Sequence, residues 1–243
     1  MRLVPTARSS ALAAAFALAF AFAPFVPGAS AGDAEPAARL PWDGFAVGSS
    51  VHQRTTTTMS VEGVPPQTSE TRQTLVKVTD DAYTIQHETK VGDAWMGMEL
   101  PFPRRAAGAA AAVEAPKLEA LGDEDVTVDG KAYPCKKVRS VFPGGATTTW
   151  RHATEGVLKF EMKGPGVESS TLVTRLAVTV KAGDRELEAR ASVRTSKGSG
   201  TEIKVTTWTS SAVPGGTVRS EMVTEMPGMK TTVVTETIAF QGK

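Results

Sequence analysis

From residue 42 onward, apolar and polar side chains alternate along much of the chain, with a period of two residues. Clear examples are 83–91, 158–163, 187–194 and 218–226. This period predicts β-strands that have one apolar and one solvent-facing side. Clusters of Gly, Pro and Asp separate these stretches and predict short turns, so neighbouring strands run antiparallel. The pattern predicts about a dozen strands, many of about 8 to 12 residues.

The strands are predicted to form one all-β fold. Trp42, Trp150 and Trp208 each stand before a strand that a turn joins to a second, Thr-rich strand. Such a repeat indicates a sheet built from copied hairpins. Because long strands in one sheet twist and coil, we expect a strongly curved antiparallel sheet, either a half-barrel or an open barrel. Residues 42–243 are predicted to be a single domain.

One segment of this domain does not alternate. Residues 101–123 combine Pro-Phe-Pro-Arg-Arg, an Ala-rich run and Pro116-Lys-Leu-Glu-Ala-Leu-Gly122. We expect an irregular linker or insert there with a short helical part, since Pro116 limits any helix to about two turns on either side.

The N-terminal residues predict export. Arg2 and Arg8 precede an apolar run from Ala11 to Ala23, and Ala29-Ser-Ala31 fits a cleavage site. We expect a signal peptide at 1–31, a flexible leader at 32–41 and a periplasmic or secreted protein. Later residues contain no apolar run long enough for a transmembrane helix, so we expect no integral membrane protein after cleavage. The absence of Asn, with many Ala, Arg and Gly residues, is typical of a high-GC bacterial genome.

Charge and cysteine content narrow the possible functions. The 27 basic and 26 acidic residues give a net charge of +1, which provides no field to attract nucleic acid. A single cysteine, Cys135, excludes an internal disulfide bond. Its counterpart in the repeat is Ala189, so we expect a small buried residue. A reactive thiol or an intermolecular disulfide is the alternative.

The residues offer no recognisable catalytic or metal-binding pattern. His52, His87 and His152 lack metal-ligand spacing, and His87 falls on an apolar strand face. There is no nucleophile elbow and no glycine-rich phosphate loop. We therefore predict a protein that is not an enzyme, with no catalytic residues, no metal site and no cofactor; the residues that bind a ligand stay unknown.

Tryptophan and methionine are the remaining candidates for a binding surface. Trp42, Trp95, Trp150 and Trp208 could form an aromatic patch for an acyl chain or a glycan. Their repetition instead favours core caps whose indole N–H is hydrogen-bonded at the rim.

The methionines could supply soft ligands for Cu(I). Met162, Met222 and Met226 are predicted on inward strand faces, where methionine is ordinary filler, whereas Met96, Met98 and Met229 are predicted on loops.

The run Thr206-Thr-Trp208-Thr-Ser-Ser-Ala-Val-Pro-Gly-Gly216 and the strand pair after it resemble the LolA/LolB-like group of periplasmic lipoprotein and lipid carriers. This resemblance extends over most of Trp42 to Phe240. It implies a curled antiparallel sheet around an apolar cavity closed by helices, although the sequence lacks obvious helices to close it.

Three functions remain open at this point. The first is a non-catalytic envelope protein whose concave sheet binds a lipid, a lipidated protein or another hydrophobic ligand. The second is a structural or protein-interaction module of the envelope that pairs through strand edges. The third is a hydrolase whose site the sequence does not reveal.

Overall fold

The computed structural model describes residues 41–104, 116–198 and 200–243, and this part of the chain is a sheet of thirteen antiparallel strands. The strands are β1 Ser50–Met59, β2 Gln67–Val78, β3 Ala82–Val91, β4 Ala94–Pro103, β5 Lys117–Val128, β6 Lys131–Phe142, β7 Gly145–His152, β8 Gly156–Gly164, β9 Val167–Ala182, β10 Arg185–Gly198, β11 Thr201–Thr209, β12 Thr217–Met226 and β13 Met229–Gln241.

The strand order is β4-β3-β2-β1-β13-β12-β11-β10-β9-β8-β7-β6-β5. Consecutive strands pair with each other, except for β4 and β5, and one further pair joins strands that are far apart in sequence. The first and last strands, β1 and β13, pair with each other in the interior of the sheet. The consecutive strands β4 and β5 are its two edges and, within the described residues, do not pair. The sheet is therefore open, and the predicted all-β fold of antiparallel hairpins is confirmed.

The covalent chain requires this sheet to be curved. Twelve strand spacings of about 4.8 Å would separate β4 from β5 by about 58 Å in a flat sheet. The fourteen steps of chain from Pro103 to Lys117 reach at most about 50 Å. The two edges must therefore approach each other, and register shifts in six of the strand pairs add local twist.

A first hydrophobic core, core 1, forms where the long β9–β10 hairpin bends across the sheet. A bulge at Ala189/Ala191 marks the bend. The N–H of Gly183, at the hairpin tip, donates to the carbonyl of Thr237 in β13 at 3.0 Å, although β13 lies three strands beyond β10 in the sheet order. Core 1 contains the buried residues Trp42, Val51, Leu75, Tyr83, Ile85, Ala182, Ala189, Val213 and Val218.

A second core, core 2, forms at the other end of the sheet, where the end of β5 packs near β8 and β9. Its buried members are Val126, Val128, Cys135, Trp150, Leu158 and Val173. Arg190 braces the same region. This β10 side chain donates to the carbonyls of Glu155 and Val157 at 2.8 and 2.7 Å, so it reaches past β9 to the start of β8. Its partial burial lowers the pKa of the guanidinium.

The expected irregular segment at 101–123 is shorter than predicted. Residues 101–103 belong to β4, and 117–123 belong to β5, so the helix expected after Pro116 is not formed in this part. Edge strands tolerate proline, and pairing with β3 and β6 overrides the helical composition. Residues 105–115 lie outside the described residues, as do the predicted signal peptide and residues 32–40 of the leader.

The repeat is visible in the fold. Trp42, Trp150 and Trp208 each precede a turn, and β1, β8 and β12 follow those turns. Each of these strands then pairs with the Thr-rich strand after it. No helix within the described ranges is long and apolar enough to cross a membrane.

Candidate functional site

An exposed apolar patch lies on the β3–β4 hairpin, on the sheet face that carries core 1. Cross-strand pairing sets this face: Leu75 pairs with Ile85 and Ile85 with Leu100. We call it the inner face of β1 to β4. In the same rows Tyr83 pairs with Phe102, His87 with Met98 and Thr89 with Met96. The β3–β4 patch consists of Val91, Met96, Met98 and Phe102.

The patch continues core 1 into solvent. The ring of Phe102 stacks on that of Tyr83, with 5.3 Å between centroids and 17° between planes. Tyr83 is buried, which raises the pKa of its phenol. Toward the hairpin turn burial fades along the same face, and Met96 and Met98 are each 63% exposed. Contiguous exposed apolar patches often mark binding surfaces, so the β3–β4 patch is the candidate site.

The outer face of the same strands is charged and internally paired. Arg72 in β2 grips Glu88 in β3 through two hydrogen bonds of 2.8 and 3.0 Å. Glu70 accepts from Arg54 at 3.0 Å and lies 3.2 Å from His52 Nε2. These contacts lower the pKa of both carboxyls: hydrogen bonding from Arg72 is the largest cause for Glu88, and from Arg54 for Glu70. The outer face is thus a structural ion-pair ladder.

Trp95 lies on this outer face and not in a core. The guanidinium carbon of Arg72 is 4.9 Å from its ring centroid, and the His52 ring is 5.3 Å away in an edge-on contact. Trp95 follows the β3–β4 turn at the start of an edge strand, so it does not share the position of the other three tryptophans.

Those three behave largely as predicted. Trp42 and Trp150 are buried, and Trp208 packs against core 1. The buried Nε1 of Trp150 makes no hydrogen bond of regular geometry with a described residue, although it lies close enough to the Glu124 carboxyl to help lower the pKa of that group. Lys159 Nζ and Lys137 Nζ lie 4.1 and 4.9 Å from the ring centroid. These two lysines make cation–π contacts with the indole ring.

The methionine prediction was right for some residues and wrong for others. Met162 and Met222 are half-buried within strands, but Met226 is 37% exposed. Met96 and Met98 lie in β4 and not on a loop, and Met229 begins β13. Three strands separate β4 from β13 in the sheet, so the ladder does not gather these three side chains into one site.

Two of the histidines and the cysteine noted in the sequence are held in the sheet by burial or by backbone contacts. His87 is half-buried on the inner face, and His152 Nδ1 accepts from the backbone N–H of Glu155 at 3.2 Å. Cys135 is buried, as expected, and burial raises the pKa of its thiol. Within residues 41–104, 116–198 and 200–243 no three His, Cys, Asp or Glu residues are grouped as metal ligands.

Two open clefts exist elsewhere on the sheet. One of about 490 Å³ lies between the tips of the β8–β9 and β10–β11 hairpins. The other, of about 390 Å³, lies over Trp150 between Lys137, Lys159 and Glu161. Lys137 donates to Glu124 at 2.7 Å and lowers the pKa of that carboxyl. Neither cleft touches the β3–β4 patch.

No protein-family model and no curated protein matches this sequence. Among solved structures, the chain is similar to a candidate outer membrane lipoprotein-sorting protein domain from Vibrio parahaemolyticus, with 12% identity over 80% of this chain and 85% of that one and a TM-score of 0.35. It is also similar to a DUF1329 family protein from Desulfovibrio piger, with 9% identity over 83% and 87% and a TM-score of 0.33.

A third similar structure is MucB in complex with MucA(peri), at 11% identity over 80% of this chain and 94% of that one and a TM-score of 0.17. The resemblance to the lipoprotein-carrier group is thus found among solved structures at the level of architecture only.

Proposed function

We propose that this chain is an exported, non-catalytic protein of the bacterial cell envelope that binds a hydrophobic ligand, such as the acyl chain of a lipid or of a lipidated protein. The observation that carries the proposal is the β3–β4 patch, which extends core 1 into solvent. Periplasmic or secreted location rests on the sequence pattern of residues 1–31.

The chemistry of the patch suits an acyl chain. Methionine side chains are unbranched and polarizable, so a pair such as Met96 and Met98 adapts to a flexible apolar ligand. The stacked Phe102 and Tyr83 give a rigid wall beside them. The patch lies on an open sheet face, so we expect it to hold part of a ligand and not to enclose one.

A non-catalytic role is supported by the way ionisable groups are used. Glu70 and Glu88 neutralise arginines on the outer face, and Glu124 holds Lys137. The thiol of Cys135 lies inside core 2. These groups stabilise the sheet and do not converge on the patch.

The test is ligand binding by protein purified without detergent. We expect extraction and mass spectrometry to yield lipid, and the fluorescent probe 1-N-phenylnaphthylamine to bind. A Met96→Gln/Met98→Gln double variant should weaken probe binding about tenfold, because apolar contact area is lost. Val167→Thr is the matched control: Val167 is 47% exposed on the β8–β9 hairpin, away from the patch. Clean extracts with equal probe binding by all three proteins would refute the proposal.

A protein-interaction module without a small ligand is the second candidate. One observation favours it: β4 is an edge strand with Glu99 as its single charged residue. Natural edge strands are commonly protected by charges or prolines, and the part of β4 before Pro101 has only Glu99, which leaves it open to another strand. Clean extracts together with a foreign envelope protein cross-linked through β4 would favour this candidate over ligand binding.

A further inference from the structure

The outer side of β4 has a defined set of free backbone groups. The β3–β4 register runs without a shift from Ala82↔Pro103 to Val91↔Ala94, and a two-residue turn joins Val91 to Ala94. The pair that closes such a turn is hydrogen-bonded, so even-numbered residues of β4 face β3. The N–H of Arg104 agrees, since it donates to the carbonyl of Asp81 at 2.6 Å.

Odd-numbered residues of β4 therefore direct their backbone groups away from the sheet. The outward donors are the N–H groups of Trp95, Gly97 and Glu99. Pro101 and Pro103 hold the next outward positions and have no N–H, which is where proline is tolerated in an edge strand. No other strand of the described residues pairs with this side. The prolines thus limit any added strand to residues 95–99.

This window is self-complementary. When two copies pair antiparallel about Gly97, Trp95 faces Glu99 of the other copy, and Gly97 faces Gly97 of the other copy. All three donors in each chain then meet a carbonyl, which gives six hydrogen bonds. Met96 meets Met98 of the second copy at a non-hydrogen-bonded position, where side chains approach closely.

Charge favours the same arrangement. Glu99 has no ion pair with another described residue, and in the paired dimer it lies beside Trp95 of the other copy. Trp95 pairs with Lys90 in the β3–β4 register and lies under Arg72. The carboxylate of each copy would therefore come near Lys90 and Arg72 of the other, which are paired with Glu70 and Glu88 in their own sheet. The opposite edge, β5, carries Lys117 and the acidic residues Glu119, Asp123, Glu124 and Asp125, and a charged edge of this kind resists strand pairing.

We propose that β4 is a dimerisation edge, through which two copies of this chain pair antiparallel about Gly97 and join their sheets. The paired segment is only five residues long, so the dimer is weak and forms in the high-micromolar range. This inference concerns the edge and its backbone, and it does not depend on ligand binding by the β3–β4 patch.

Two experiments on the full chain test the dimer. In sedimentation equilibrium, the wild type should show a concentration-dependent dimer, and Glu99→Lys should weaken it about tenfold or more because cations then face Lys90 and Arg72. Glu99→Gln should fall between them. At protein concentrations where the wild type is monomeric, probe binding by Glu99→Lys should be unchanged, which separates a failure of the dimer from a failure of the proposed ligand site.

Disulfide trapping tests the register. A mixture of Met96→Cys and Met98→Cys proteins should cross-link faster than either protein alone, since these positions face each other across the pair. Met226→Cys, an exposed methionine of β12, should not cross-link. A monomer at every concentration, a dimer insensitive to Glu99→Lys, equal cross-linking by Met96→Cys alone, or links only to a foreign protein would each overturn self-pairing.

Discussion

Charged side chains have two different roles in this sheet: some position strands through backbone contacts, and others form ion pairs on the surface. Arg190, which is partly buried, donates from its two terminal nitrogens to the carbonyls of Glu155 in the β7–β8 turn and Val157 in β8, and a lysine could not span both. Arg72 and Glu88 instead form a two-pronged pair on the outer face of β2 and β3, where the side chains are 42% and 18% exposed. The first contact positions a strand that is not a neighbour, and the second adds a modest, pH-dependent stabilisation.

The Arg72–Glu88 pair predicts a loss of stability in acid. The folded pKa of Glu88 lies below its ordinary value of 4.5, so the carboxylate stabilises the fold above pH 4.5. This contribution is lost as the pH falls from 4.5 through the lower folded pKa. Because the pair is partly exposed, Glu88→Gln should cost less than about 1 kcal/mol at pH 7.

Urea unfolding at pH 7 and pH 3 measures this effect. The difference in stability between wild type and Glu88→Gln should shrink at pH 3. Glu186→Gln is the control, since Glu186 has no ion pair with another described residue. An equal loss at both pH values for Glu88→Gln would show that the charge of Glu88 does not stabilise the fold.

At the level of elements, the β9–β10 hairpin determines core 1. Its strands are 16 and 14 residues long, and the bulge lets the half of the hairpin next to its tip at Gly183 fold over β13. Gly183 lies at the contact with a φ of +64°, and a Cβ there would come within 2.6 Å of the Ile238 carbonyl oxygen. The tip therefore approaches β13 closely only because residue 183 has no side chain.

Gly183→Ala should accordingly destabilise the protein through two causes. The left-handed backbone costs about 1 kcal/mol, and retreat of the tip from β13 adds about 2 kcal/mol or more. Gly130→Ala separates them, because Gly130 has a φ of +77° in the β5–β6 turn and open space around it. Urea unfolding of both variants should show the larger loss for Gly183→Ala. Equal losses would mean that the tip contact contributes nothing.

The sequence predicted the elements whose signal is local. Alternation at 83–91 and 218–226 marked strands because their faces differ in burial, and copied turns marked the hairpins. The strand at 117–123 was missed, since its Ala, Leu and Glu residues favour helix and only pairing with β6 decides otherwise. The patch was missed for a related reason: exposure of Met96 and Met98 depends on what covers the inner face, which no local pattern records.

On the scale of the whole molecule, the first and last described strands pair inside the sheet, whereas its two edge strands, β4 and β5, follow each other in sequence. The β1–β13 ladder pairs Ser50 through Met59 with β13. Core 1 also joins both parts, because Leu75 and Ile85 come from β2 and β3, whereas Val213 in the β11–β12 loop and Val218 in β12 come from the later part of the chain. Two segments, 41–104 and 116–243, are therefore held together by a shared ladder and a shared core.

These two segments should stay associated after the chain is cut between them. A protease site inserted between Ala109 and Ala110 divides the chain into these two segments, and after cleavage size-exclusion chromatography should show one species in buffer and two in urea. Val51→Asp, which places a charge in core 1, should release the fragments without urea. Separation of the cleaved wild type in buffer would contradict the shared core.

The central position of β13 also sets an order of events in biogenesis. β1 pairs with β2 as soon as both are made, but its other partner is β13, so one flank of β1 stays unpaired until β13 has been synthesised. During that interval the first four strands offer two bare flanks, β1 and β4, and an unfinished apolar side. A nascent chain in this condition is prone to aggregation and is a natural client for a holding chaperone.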